Sequence, residues 1–205
     1  MAPKLILTYF GVEGIAEEIR WALELSGLEW EDKRLTREEF GVLKPSLPNG
    51  QVPVLVIDGY VLPQRLAILR YVAKLGGLFP TDDFEAAKCD AAIELSTDFY
   101  AQGVPYFSEK DETRKLEMRK NMVENFFPTW LKNIEKHLSK TEGVYFGDKM
   151  TVADITVARL IKSLKDGALD GVPTDIADSY PKAIALYDSI VGEPKIAAFI
   201  AKHAK

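Results

Sequence analysis

Few side chains here belong to the residue types that do covalent or metal chemistry. The histidines are His137 and His203 and the only cysteine is Cys89. Two imidazoles and one thiol do not give a zinc site of the usual ligand count and spacing. There is no P-loop and no dinucleotide-binding glycine turn, since Gly11-Val-Glu-Gly14 is too short to form one. No G-x-S-x-G nucleophile elbow occurs. His137 lies in a helical stretch, on or beside its apolar face, where a surface or hydrogen-bonded core role is sufficient. Nucleophile–base triads, metal-assisted hydrolysis and nucleotide chemistry are therefore excluded. Tyr9 closes a short apolar run, and from pattern alone it reads as a strand tyrosine with its ring in the core and its hydroxyl at the rim.

The elements that would position these residues change character along the chain. Lys4 to Tyr9 suits a buried strand. From Gly14 to Ser26 the period becomes helical, with Ile15, Ile19, Ala22, Leu23 and Ser26 on one face, and Gly27 is a natural stop. Trp30 to Leu35 fits a second strand and Arg37 to Leu43 a short helix. Asp58-Gly59 between Val52–Ile57 and Tyr60–Leu62 predicts a hairpin, because both turn positions need φ > 0. Ala67, Ile68, Tyr71, Val72 and Leu75 then form a helix face. This is the order β-α-β-α-β-β-α, a small mixed sheet with helices packed on it.

Gly76-Gly77 and Pro80-Thr-Asp-Asp83 read as a linker, after which strand signals nearly vanish. One long helix is expected from Phe84 to about Gly103. Another is expected from near Asp111, with Val123, Phe127, Trp130, Ile134 and Leu138 inward and a bend at Pro128. Thr151-Val-Ala-Asp154 has the form of a capping box opening a helix whose Ile155, Ala158, Ile161 and Leu164 face the core. Pro194 is placed to start a last helix, where its missing N–H costs nothing. The fold class is a small α/β domain followed by an all-α domain.

Composition limits the partners. The 205 residues carry 26 Lys and Arg against 31 Asp and Glu, a net charge of −5, and the pI is about 5.2. With the charges interspersed and no basic block, nucleic acid is not an expected partner. A lone cysteine forms no internal disulfide and points to a reducing compartment. No apolar run is long enough for a membrane span, and the N-terminal one is too short for a secretory signal; a cytoplasmic protein is expected.

Within this frame the chain resembles a cytosolic glutathione S-transferase, closest to the sigma-like group, over essentially its full length. Leu7-Thr-Tyr-Phe10 resembles the family's first strand with its active-site tyrosine. Leu43-Lys-Pro45 and Gly50-Gln-Val-Pro-Val54 resemble the loop that runs into a cis-proline. Gln64 through Arg70-Tyr71 resembles the turn into the third helix, and Thr151 to Asp154 the family's capping box. The resemblance implies an α/β thioredoxin-like N-terminal domain over 1–78, which binds glutathione. It also implies an all-α C-terminal domain over 84–205, which contributes the electrophile site and dimer contacts.

The resemblance further implies a transferase that ionises the glutathione thiol and joins it to small apolar electrophiles, the chemistry of detoxification. Glutathione is then a co-substrate, with no other cofactor and no metal, and the protein a homodimer. Tyr9 would be the catalytic residue. A free thiol titrates near 8.5, and lowering that by about two units takes about 2.7 kcal/mol of preferential thiolate stabilisation, much of which a tyrosine O–H aimed at sulfur can supply. Val52, preceding Pro53, would pair through its backbone with the extended tripeptide. Phe40, Lys44, Gln51, Gln64 and Arg65 would complete the glutathione contacts, and Asp98 would reach the γ-glutamyl amino group across a dimer interface. Gly11, Val12, Val104 and Tyr106 would line the electrophile site.

Four positions depart from the family pattern. Arg65 stands where a serine usually helps the helix N-terminus hold the γ-glutamyl carboxylate, and a cation there opposes the helix dipole. It either pairs with that carboxylate or obstructs the site. Ile15 replaces an arginine that would favour the thiolate, Asn49 replaces a phenylalanine, and Phe40 keeps an aromatic wall where relatives often carry tryptophan. The alternatives to an enzyme are a ligandin that holds apolar molecules without turnover and a structural protein on the same fold, as the lens crystallins are. Prostaglandin isomerisation occurs among sigma-like members, but no residue here selects it.

Overall fold

The structure, a computed structural model, describes residues 3–203. The apolar run after Lys4 forms β1 (Leu5–Phe10), followed through a 3-10 turn at Gly14–Ala16 by α1 (Glu17–Ser26). Gly27 ends α1 at φ 68, the left-handed conformation that a glycine takes without penalty. Next come β2 (Trp30–Leu35), α2 (Arg37–Leu43), a 3-10 turn at Lys44–Ser46, β3 (Val54–Ile57), β4 (Tyr60–Pro63) and α3 (Arg65–Leu75). The strands lie in the order β2-β1-β3-β4; β1 and β2 run parallel, while β3 is antiparallel to both β1 and β4. The hairpin at Asp58-Gly59 has φ 48 and 94, as a two-residue turn of this kind requires.

The helical part contains α4 (Asp83–Ser108), α5 (Glu112–Asn121), α6 (Phe127–Leu138), α7 (Val152–Lys165), α8 (Pro181–Val191) and α9 (Pro194–His203). A π-helical stretch, Met122–Phe126, joins α5 to α6. The bend expected at Pro128 takes this form, because a proline in the first turn of α6 donates nothing to the preceding carbonyls. α4 runs past Gly103 and through Pro105. The sequence reading had no α8. Its N-terminal amides of Lys182 and Ala183 are held by the Glu135 carboxylate on α6, at 3.0 Å each, so a tertiary partner does what a local cap would do.

The chain separates into two compact units. One runs to Phe79 and takes in α9 from Lys195 onward; the other spans Pro80–Pro194. α9 thus groups with the first unit. There the Phe199 ring lies 6.5 Å from Trp30 at the start of β2. The α3 face is also rotated from the sequence reading. Ile68, Leu69, Val72 and Ala73 are buried, while Ala67 and Leu75 are exposed.

In the helical unit α7 is buried from Val152 through Leu164. Its N-terminus is tied by Asp154, which accepts hydrogen bonds from the Thr151 amide (2.7 Å), the Thr151 hydroxyl (2.9 Å) and the Phe146 amide (2.8 Å). Burial pushes the Asp154 carboxyl above its usual range, against these bonds. Asp154→Ala strands three donors in the interior and is expected to cost about 3 kcal/mol, read as a lower urea midpoint at unchanged slope. Among the described residues no helix is long and apolar enough to cross a membrane.

Candidate active site

Strand directions gather the candidate residues. β1 and β2 are parallel, so both end at one edge of the sheet. β3 is antiparallel to β1, with Thr8 opposite Val54, so the start of β3 lies beside the end of β1 and brings Pro53 level with Tyr9. β4 is antiparallel to β3, with Val54 opposite Pro63, so Gln64 emerges at that same edge. Tyr9, Val52–Pro53, Gln64–Arg65 and the β2–α2 connection are thereby collected from four distant parts of the sequence.

Tyr9 is 9% exposed, its ring packed edge-on against Phe10 at 5.4 Å between centroids. The Ile15 amide donates to the Tyr9 hydroxyl oxygen at 3.4 Å. With its oxygen taken as an acceptor, the hydroxyl has its own proton to give elsewhere. Gly14 makes the room. At φ +48, a Cβ on Gly14 would sit 2.6 Å from the Tyr9 oxygen and 2.8 Å from its ring. Gly14→Ala must displace the phenol, and any reaction that depends on the Tyr9 hydroxyl should slow by about tenfold or more, since misplacement by an ångström is that costly.

The loop carrying Gly11 and Val12 is held by Arg20, fully buried on α1. Its guanidinium donates to the carbonyls of Phe10 (3.0 Å), Val12 (2.8 Å) and Glu13 (3.4 Å), and pairs with Glu17 (3.0 Å) and Asp32 (3.2 Å). Arg20 also stands 5.8 Å from the Tyr9 ring centroid. A cation is thus near the tyrosine despite Ile15, but two carboxylates offset its charge, so its main effect is to fix the loop.

At the rim Phe10 packs on Phe40 at 5.1 Å, and the Lys44 ammonium lies 6.0 Å from the Phe40 ring. The Lys44 side chain also runs 3.6 Å from where a Gly50 Cβ would be, which ties the α2 end to the loop before Gln51. Lys44, Asn49, Gln51 and Gln64 are exposed, Phe40 and Val52 are half-buried, and Pro53 is buried. The Val52–Pro53 bond is cis. Gln64 has φ 77 and ψ 112, which a side-chain-bearing residue rarely adopts. Such a conformation persists only where its surroundings impose it, and it marks functional sites.

Arg65, read from sequence as a misplaced cation, has a partner. Its guanidinium pairs with Glu18 on α1, a carboxylate with no exposed side-chain surface, while Arg65 itself keeps 12%. Sequence reasoning missed Glu18, yet a signal was present. Glu18 lies three residues after Ile15 and four before Ala22, on the face assigned to the core. An acid there needs a cation, and Arg65 supplies it from 47 residues away.

The remaining candidates belong to the helical unit and to the β1–α1 loop. Asp98 and Val104 are exposed on α4. Tyr106 is 5% exposed, with its hydroxyl bonded to Arg119, so it does not offer the open lining expected of it. Gly11 and Val12 are exposed. Cys89 is buried in α4, and burial raises its thiol pKa, so it is no nucleophile.

Residues 6–74 match the glutathione S-transferase N-terminal domain family, and residues 97–203 match the glutathione S-transferase C-terminal domain family. This chain belongs to the glutathione S-transferase family. It is 33% identical over 203 residues to hematopoietic prostaglandin D synthase of Gallus gallus, covering 99% of this chain and 98% of that protein. It is 33% identical over 207 residues to glutathione S-transferase 4 of Caenorhabditis elegans, covering 97% and 96%. Among solved structures, prostaglandin synthase D of Nilaparvata lugens superposes with a TM-score of 0.88 at 32% identity, over 98% of each chain. Glutathione S-transferases and prostaglandin synthases thus both resemble the chain from end to end, and the family's thioredoxin-like domain corresponds to the unit that holds Tyr9.

Proposed function

We propose that the protein is a sigma-like glutathione transferase in which Tyr9 holds the glutathione sulfur as thiolate for attack on small apolar electrophiles. The observation that carries this is the Ile15 amide on the Tyr9 oxygen. It leaves the phenolic proton available for a second acceptor. The tripeptide would lie extended along Val52, with Gln51, Lys44 and Phe40 beside its glycine end and Gln64 and Arg65 at its γ-glutamyl end. The thiol gives its proton to solvent and the Tyr9 O–H donates to the resulting anion. The sulfur lone pair then forms a bond to the electrophilic carbon, which releases a leaving group or takes up a proton.

Gly11 and Val12, exposed in the loop after β1, are the proposed electrophile contacts. Asp98 is the proposed contact to the γ-glutamyl amine in a cytoplasmic homodimer. Prostaglandin isomerisation, named in two relatives, is a second reaction for the same thiolate. The test is ultraviolet difference spectroscopy with glutathione at neutral pH, paired with a screen of aryl halides, conjugated carbonyls and prostaglandin endoperoxide. A saturable thiolate band with turnover supports the transferase. Binding heat without the band or turnover replaces it with a ligandin, and neither signal leaves a structural protein.

A further inference from the structure

The loop between β1 and α1 is built around one buried side chain. Gly11 and Val12 are exposed, and among the described residues neither takes part in a backbone–backbone hydrogen bond. The loop is instead pinned through its carbonyls. Arg20, fully buried on α1, donates to those of Phe10, Val12 and Glu13, and its other bonds go to the carboxylates of Glu17 and Asp32. Glu17 is fixed in turn, because its second oxygen accepts the indole N–H of buried Trp21 at 3.2 Å. The guanidinium is therefore aligned by its own partners before it reaches the loop.

The same loop governs Tyr9. The Ile15 amide meets the phenolic oxygen at 3.4 Å, and the Gly14 backbone lies so near that a Cβ there would stand 2.6 Å from that oxygen. A bond of that length is already long, so a small outward movement of the loop ends it. We infer that Arg20 is a positioning residue for the thiolate chemistry: by pinning Phe10 to Glu13 it sets the Ile15 amide on the Tyr9 oxygen, and so the direction in which Tyr9 offers its O–H. This rests on the transferase reading above. Enclosed in the first unit, Arg20 acts through the loop and not on a ligand. Its charge is not the agent, since Glu17 and Asp32 both pair with it. What counts is a planar fan of N–H groups wide enough to reach both carboxylates and the carbonyls. A lysine, with three N–H groups on one atom, keeps the charge and loses the fan.

The experiment is a pH titration of the thiolate band of bound glutathione in wild type, Arg20→Lys, Tyr9→Phe and the double variant, with thermal unfolding of each. Arg20→Lys should move the midpoint up by about one pH unit, which leaves about threefold less thiolate near pH 7. In the Tyr9→Phe background the same change should move it by less than about 0.3 unit, because residues that act as one unit are not additive. A merely structural Arg20 would lower the unfolding temperature and leave the midpoint in place, which overturns the inference. An equal shift in both backgrounds overturns it too, since Arg20 would then act without Tyr9. If Arg20→Lys does not fold, Asp32→Asn takes its place, as it loosens the guanidinium from the β2 side. Removing a carboxylate would by itself favour the thiolate, so an upward shift in Asp32→Asn reports geometry rather than charge. A midpoint that stays or falls in that variant counts against Arg20. Arg34→Gln breaks the other ion pair of Asp32 and should leave the midpoint where it is; an upward shift there would assign the effect to that pair instead and overturn the inference. A wild-type midpoint near the ordinary thiol value of about 8.5 defeats the transferase reading, and this inference with it. A lowered wild-type midpoint that Arg20→Lys does not move defeats this inference alone.

Discussion

Tyr9→Phe is expected to lower kcat at saturating glutathione with any electrophile by about 25-fold near pH 7, while the affinity for glutathione weakens about fourfold. The figure follows from ionisation. A thiol with its ordinary pKa near 8.5 is about 3% thiolate at pH 7, and one stabilised by about two units is about three-quarters thiolate. Phenylalanine preserves the ring that packs on Phe10 and fills the space opened by Gly14. It removes only the oxygen that accepts from Ile15 and the proton that would meet sulfur. The fold should lose no more than about 1 kcal/mol. In a pH–rate profile the acidic limb should move upward by about two units, because the limb reports the thiol in the complex and an unassisted thiol ionises later. A profile that stays in place, or turnover that survives, would remove Tyr9 from the chemistry.

Arg65→Ser should be strongly destabilising, and the loss should appear in stability before binding. Serine breaks the ion pair that Arg65 makes with the fully enclosed Glu18 carboxylate, a change that costs about 3–5 kcal/mol. For a chain of this size that is a fall in Tm of roughly 10 °C. Adding Glu18→Gln removes the enclosed charge as well, and the double variant should recover at least half of the loss. The double-mutant cycle then measures the pair directly. If Arg65→Ser alone unfolds at the wild-type temperature, Glu18 and Arg65 are not energetically coupled. Judged from sequence, this substitution tests only whether Arg65 aids or obstructs glutathione; with Glu18 in view, any binding change must be measured in proteins that first solve the charge problem.

Much of this was legible in one dimension, and the particular cases show why. The hairpin at Asp58-Gly59, the stop at Gly27 and the capping box at Thr151–Asp154 depend on conformations or bonds that close within a few residues, so residue type alone announces them. The order β-α-β-α-β-β-α followed from period, and Tyr9 was singled out as a candidate by resemblance of a short motif. α8 was not legible, because its N-terminal amides are held by Glu135 from another helix. The buried face of α3 was misassigned by part of a turn, since adjacent apolar residues such as Ala67, Ile68 and Leu69 fit either rotation. The packing on α1 and the sheet selects between them.

Charge was the least legible property. Glu17, Glu18 and Arg20 are charged residues in the first turn of a helix, yet all three are buried. Local pattern prices a charge against water, whereas the folded chain prices it against partners: Arg20 against Glu17, Asp32 and three carbonyls, and Glu18 against an arginine from the opposite end of the sheet domain. Residue types and spacing were enough to place most of the elements. That Tyr9, Val52, Gln64 and Arg65 meet at one sheet edge depends on strand direction, and whether Arg65 is an intruder or a fitted part depends on a neighbour 47 residues away. Both are consequences of long-range packing, because electrostatic energies in an interior are set by distances that only the folded chain possesses.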